Sequence, residues 1–367
     1  MKSTAKRLPL LATVILALAL FPAAEANHLA AFSDPARLWG DGVERVIEEA
    51  FRAHFRTRII GGRVMNIRMP FAKNNERSML LDTRLDVIGG GKGAPEALWP
   101  VINNLLDSED FARYVRALSD GREQVIIFDL QHRTWESSRD FNLIARMRAG
   151  LYPGLPHRPH VLVSGDGISE ADVYNYLYSV GRIGVDCSGF VWNILVYVAR
   201  RGGVDMPRLL GPSMGVPRGR DPAWYAGTVF FNSRNPHILP VDDRIANLRP
   251  ADVILFRGPD GQMSHSAIIQ SIDFTQGIIR YLQSTDMATQ EERGVHESFV
   301  YFDPARTYVS LCDPSLYWTK QRRPAFIGEP VCPFTNDGER YRAFGELGGG
   351  RVVRLRFVSQ LRFRVYP

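Results

Sequence analysis

The chain has 367 residues, with 45 Lys and Arg against 39 Asp and Glu, a net charge of +6 and three cysteines. That length suits about two or three domains, and the modest basicity would draw cell-wall polymers, nucleic acid or anionic lipid alike and so selects none of them. No segment beyond the N-terminus reaches the roughly 20 apolar residues of a helical membrane span, and no internal repeat or low-complexity tract is present.

Residues 1–26 join Lys2, Lys6 and Arg7 to an apolar core from Leu8 to Phe21 and then to Ala24-Glu25-Ala26. These are the three parts of a cleavable secretory signal. No cysteine stands at the cleavage point for lipidation, so the mature chain is expected to be periplasmic or secreted, without stable membrane insertion. From Asp41 to Arg58 the apolar positions Val43, Val46, Ile47, Ala50, Phe51 and Phe55, with charges between them, predict an amphipathic helix with His54 at the edge of its apolar face. Gly89-Gly90-Gly91-Lys92-Gly93 lacks the spacing of a phosphate loop and the Ser or Thr that follows its lysine. Trp99 to Leu118 reads as helix, interrupted near Asp107-Ser108 where a new cap can start. Gln124 to Leu130 reads as a buried strand and Phe141 to Arg148 as a short helix. Residues 27–150 thus form an accessory α/β region to which no role is assigned. Gly150, Pro153, Gly154, Pro156 and Pro159 mark a domain boundary. His157 and His160 have a ligand-like interval but lie among prolines with no cysteine nearby, so no metal is expected, nor any cofactor. The carboxylates show no pairing that would argue for a glycosidase.

The chemistry concentrates beyond that boundary. Asp186-Cys187-Ser188-Gly189-Phe190, an apolar run to Ala199 and then Arg200-Arg201-Gly202-Gly203 put a cysteine at the start of a helix. There the first-turn amides and the macrodipole favour thiolate over thiol, and Asp186 is suited to cap the turn. Leu248 to Phe256, a turn at Arg257 to Gly261 and Met263 to Ile269 read as strand, turn and strand, with His265 near the start of the second. His265 is the candidate base for Cys187. Asp273 to Gly277 reads as a further turn before the strand Ile278 to Ser284. Across an antiparallel hairpin with a three- or five-residue loop, residues whose numbers sum to an even value share a face. This makes Gln283 the candidate third group, within reach of His265. A β-bulge would flip that face, and His296, read as a loop histidine, is the runner-up.

Together the Asp-Cys-Ser-Gly-Phe and Ser264-His265-Ser266-Ala267-Ile268 segments resemble the NlpC/P60 family of cysteine peptidases. In that family a strand beginning Pro-Gly-Asp precedes the histidine strand; here it reads Pro250-Ala251-Asp252. Cys187 and His265 lie 78 positions apart, a wider interval than is usual in the family, and the excess, about 205–246, reads as a proline-rich inserted rim rather than a helix. The family's upstream Trp-Gly-Gly is replaced by Tyr174-Asn175-Tyr176-Leu177-Tyr178. The resemblance implies an α+β, papain-like core, a cysteine-bearing helix packed on an antiparallel sheet, over 151–310. It implies a peptidoglycan stem peptide as partner, cut at the bond from γ-D-glutamate to the diamino acid, rather than nucleic acid. Cys187, His265 and a polar third residue, commonly histidine, would be catalytic, and the Gln283 place aligns with that third position. Asp186, Ser188 and Tyr178 are the substrate-side candidates. An amidase or transpeptidase on another acyl group, or an inactive wall-binding scaffold, are the alternatives.

Residues 311–367 are expected to form a C-terminal extension. Export pairs whatever thiols can pair; Cys312 and Cys332, 20 residues apart, would close a loop worth about 3 kcal/mol, leaving Cys187 unpaired. Arg351 to Pro367 alternates apolar and basic side chains, the pattern of a half-buried strand, or two, with an arginine-lined outer face at a solvated edge.

Overall fold

The structure, a computed structural model, describes residues 35–72, 92–129, 131, 134–149, 151, 158, 160–285, 294–320, 335–336, 344 and 349–361. The signal segment, the glycines before Lys92, His157 and Cys332 lie outside these residues. Of two compact units, Met1–Asp41 and Gly42–Pro367, the first contributes only the helical residues Pro35–Asp41 to the described chain. No helix among the described residues is long and apolar enough to cross a membrane. The second unit is α+β with antiparallel sheets.

Its N-terminal part follows the hydrophobic pattern in part, for the helix expected to reach Arg58 ends at Arg52 and Phe55 to Arg58 are strand. In α1 (Pro35–Arg52) the apolar stripe Val43, Val46, Ile47, Ala50 and Phe51 is buried. The chain then turns through β1 (Phe55–Ile60) and β2 (Arg63–Arg68). The helical region breaks where a serine can cap: α2 (Pro95–Leu106) ends, and Ser108 Oγ accepts the Phe111 amide at 3.2 Å to start α3 (Glu109–Leu118). β3 (Gln124–Asp129) lies between β4 (Thr134–Ser138) and β5 (His160–Val163), with α4 (Phe141–Arg148) in the connection. The glycine- and proline-rich stretch 150–159 therefore joins strands of one sheet.

His54 closes the end of α1. It is 1% exposed, its Nδ1 meets Ala50 O at 2.9 Å, and its ring stands edge-on to Phe190. Burial outweighs its backbone hydrogen bonds and lowers its pKa from 6.5 to about 4. The folded chain therefore keeps His54 neutral while the unfolded chain takes a proton below pH 6.5, so stability falls as pH drops from about 6.5 to about 4. We expect a loss of about 3 kcal/mol across that window. Urea titrations at pH 7 and pH 4 should show it, and His54→Gln should flatten the slope; an unchanged slope in that variant would assign the acid sensitivity elsewhere.

α5 (Glu170–Asn175) opens on a capping box, Ser169 Oγ accepting the Asp172 amide and Asp172 accepting the Ser169 amide. It runs into a π-helical turn, Tyr176–Gly181, that ends at left-handed Arg182. Gly184 follows where a Cβ would lie 2.2 Å from Pro70 O, so only glycine lets the chain pass there. α6 (Cys187–Arg201) then begins, its inner face buried from Phe190 to Ala199. The stretch 205–246 was expected to be a rim without helix; it holds α7 (Met206–Leu210), α8 (Thr228–Phe231) and β6 (Ile238–Val241). Three of its prolines, Pro207, Pro212 and Pro222, sit at the first turns of α7 and of two 3₁₀ segments, where the missing N–H costs nothing.

The large sheet comprises β6, β7 (Val253–Arg257), β8 (Met263–Asp273), β9 (Ile278–Thr285), β10 (Gly294–Tyr301), β11 (Tyr317–Lys320), β12 (Thr335–Asn336) and β13 (Arg351–Leu355), in the order β12-β11-β10-β9-β8-β7-β13-β6. The C-terminal strand is thus not a solvated edge. β13 is inserted between β7 and β6, and its arginines are engaged: Arg354 with Asp252, Arg351 with Asn232. One face of the sheet carries Phe256, Ala267, Ile269, Tyr281 and Val300 into a core closed by Trp318 and Phe344. The opposite face receives α6, with Ser284 Oγ donating to Val185 O at 2.7 Å. The expected Cys312–Cys332 bridge is not formed. Cys312 is a free thiol at 3.7 Å from both Asp243 Oδ2 and Phe344 O, acceptors that hold it against the core edge.

Candidate active site

Cys187 occupies the first position of α6 because Asp186 caps it: the Asp186 carboxylate accepts the Gly189 amide at 2.5 Å. Asp186 and Ser188 are 6% and 4% exposed. They were expected to face substrate and do not. Both turn to Lys92, whose ammonium donates to Asp186 Oδ1 at 2.9 Å, to Ser188 Oγ at 2.5 Å and to Ala226 O at 3.4 Å. Ser188 in turn donates to Asp186 Oδ1 at 3.1 Å. A buried ammonium and carboxylate must be paired and fully hydrogen-bonded, and this network does both. Lys92 escaped the sequence reading because its glycine-rich neighbours were weighed only as a phosphate loop.

The thiol sits where two strands part. β8 pairs with β9 only from Ile268–Leu282 onward, while its first residues stay on β7, Leu255 opposite Ser266 and Phe256 opposite His265. At that opening Ser266 lies beside the Cys187 thiol, which remains partly exposed. Burial pushes the Cys187 thiol up, and the charge of Asp186 adds to the push; the Ser266 contacts and the Lys92 charge pull it down without overcoming it. Helix-start placement led to an expected thiolate. The protonated thiol is favoured instead, because desolvation penalises the anion more than these neighbours repay.

His265 borders the same opening. Its Nε2 lies 2.7 Å from Gln283 Oε1, and Gln283 Nε2 donates to Ser298 Oγ at 2.8 Å. Because Gln283 spends its N–H on Ser298, its carbonyl oxygen faces the imidazole, and His265 must donate from Nε2. All three are buried, with His265 packed 5.4 Å from the Phe256 ring. Strand alternation sends the His265 side chain to the Phe256 face and that of its neighbour Ser266 to the α6 face. The described contacts of the thiol are accordingly with Ser266.

Gln283 reaches this face by a route other than the loop-length argument. The turn holds four residues, 274–277, between Asp273 and Ile278, which alone would place 283 on the wrong side. A bulge at Gln270 then shifts the register by one and brings it back. His296 is a strand residue directly opposite Gln283, not a loop residue; it is buried, with Nδ1 3.0 Å from Gly294 O. Tyr178 is half-buried and stacks on Tyr174, ring centroids 5.9 Å apart. The segment 222–231 flanks the first turn of α6, Ala226 O on Lys92 and Phe230 against Trp192. Among the described residues no cluster of His, Cys, Asp and Glu could hold a metal ion.

No family model matches the chain, and no curated protein or solved structure matches it significantly.

Proposed function

We propose that this chain is an exported cysteine hydrolase of NlpC/P60-like, papain-like architecture that cuts an amide in the peptide part of peptidoglycan. The observation that carries the reading is a helix-start cysteine beside Ser266, the strand neighbour of a His265 whose Nε2 is bonded into the Gln283–Ser298 chain. With Nε2 committed to Gln283, Nδ1 is the nitrogen through which His265 exchanges a proton with the thiol. A thiol protonated at rest loses its proton as the sulfur attacks the carbonyl, the imidazolium then protonates the leaving amine, and the first amides of α6 receive the oxyanion. Ala251 adds support: it stands at the glycine of the family's Pro-Gly-Asp element and adopts the left-handed backbone, φ +70°, that glycine takes most readily. Asp252 after it is buried, as a structural aspartate requires.

Digestion of purified muropeptides by the mature chain beside Cys187→Ala, with products read by mass spectrometry, tests the reading. A defined fragment formed only with Cys187 intact supports it and names the bond. One observation favours a second reading, a non-catalytic wall-binding protein: burial and the charge of Asp186 favour the thiol's proton. That reading expects both proteins to pull down with sacculi and neither to cut.

A further inference from the structure

The sequence divides residues 27–150 from the cysteine helix as a region without a role, yet the most buried ionic contact at the helix start comes from there. Lys92 is 3% exposed, its ammonium has three described acceptors, and the next residue anchors the same helix, Gly93 O accepting from Asn193 Nδ2 at 2.8 Å. We propose that Lys92 is a positioning residue of the cysteine site, clamping Asp186 and Ser188 in the first turn of α6 and supplying the counter-charge that lets Cys187 ionise beside a carboxylate. This rests on the hydrolase reading for its purpose, though not for its chemistry.

The carboxylate that caps the helix immediately precedes the nucleophile in sequence. Unneutralised, Asp186 would oppose every step in which the sulfur carries negative charge. An ammonium bonded to the carboxylate cancels much of that field and leaves the cap intact. A lysine does this as a compact charge with three donors, which here meet a carboxylate, a hydroxyl and a carbonyl. Ala226 O, from the segment 222–231, fixes the third donor, so the ammonium is held by two separate stretches of chain. Asp186 and Lys92 are the charged groups that act on the thiol, and His265 is the titratable group on the adjoining strand.

The test is the pH dependence of iodoacetamide alkylation of Cys187 in the mature chain, with Cys312 and Cys332 replaced by serine so that one thiol is read. Lys92→Met should slow alkylation at pH 7 by about tenfold, and Lys92→Arg should restore part of that loss. Asn caps helices as well as Asp does, so Asp186→Asn should fold; without the carboxylate it should speed alkylation at pH 7, and in the double variant with Lys92→Met it should remove most of the defect. The proposal is overturned if Asp186→Asn leaves the rate at pH 7 unchanged or lowers it, an outcome readable even if Lys92→Met does not fold. It is also overturned if a folded Lys92→Met alkylates like the parent. If alkylation follows the pattern but no muropeptide is cut, the hydrolase reading fails and the role of Lys92 stands.

Discussion

Arg354→Met should cost about 3–5 kcal/mol of folding stability at pH 7, the range for stranding a buried charge. Its partner Asp252 is 0% exposed, and the pair is bidentate, Nε to Oδ1 at 2.6 Å and Nη2 to Oδ2 at 2.7 Å, with the Arg249 amide adding a third bond at 2.8 Å. Burial already pushes the Asp252 carboxyl up despite Arg354. Removing the guanidinium leaves the Arg249 amide and the charge of Arg249 to hold the carboxylate. In the variant the folded carboxyl keeps its proton to higher pH than the unfolded one, so the deficit should shrink as pH falls toward the ordinary carboxylate range and grow as pH rises through it. Asp252→Asn added to Arg354→Met should recover much of the loss, since no charge then remains to bury. Guanidinium titrations of the three proteins decide it. A loss under about 1 kcal/mol in the single variant would class the pair with solvent-screened surface bridges and would undercut the reading of Arg354 as a buried partner of Asp252.

That contact also marks how far the sequence was legible. Where the signal is local it could be read: the Asp186 cap with the Gly202-Gly203 stop bounds α6, Ser108 restarts the chain as α3, and the spacing of Val43, Val46, Ile47, Ala50 and Phe51 gives the buried stripe of α1. Where the determinant is distant it could not. Arg354 alternates with apolar residues just as an edge strand would, and nothing near it says that its partner lies 102 positions away in the chain. Lys92 and Asp186 are 94 positions apart, and a glycine-rich flank hides the lysine's purpose. Gln283 is a harder case, because an incorrect loop length and a bulge that the sequence does not locate cancelled, and the right face was reached through two compensating shifts. Bulges and π-turns of the Tyr176–Gly181 kind arise from packing, so residue pattern alone does not announce them.

His265→Ala should lower muropeptide cleavage by about 10²–10⁴-fold, the usual worth of a positioned acid–base group. The loss should be larger here than where a cysteine rests as thiolate, because burial and Asp186 keep the Cys187 proton in place until a base removes it. Gln283→Leu should lose about 10–100-fold, since the buried Nε2–H of His265 is left without its acceptor and the tautomer that keeps Nδ1 as the acceptor nitrogen is no longer enforced. Gln283→Glu should keep activity if its second oxygen can accept from Ser298 in place of the amide's donation, as a hydroxyl can reverse its role. The two roles separate kinetically: a base lost at position 265 depresses kcat at every pH tested, whereas a misoriented base in Gln283→Leu retains part of it. Cleavage by His265→Ala at the parent rate, with Cys187 still required, would sink the pairing of these residues and return the search for a base to His296, which stands directly across the ladder from Gln283.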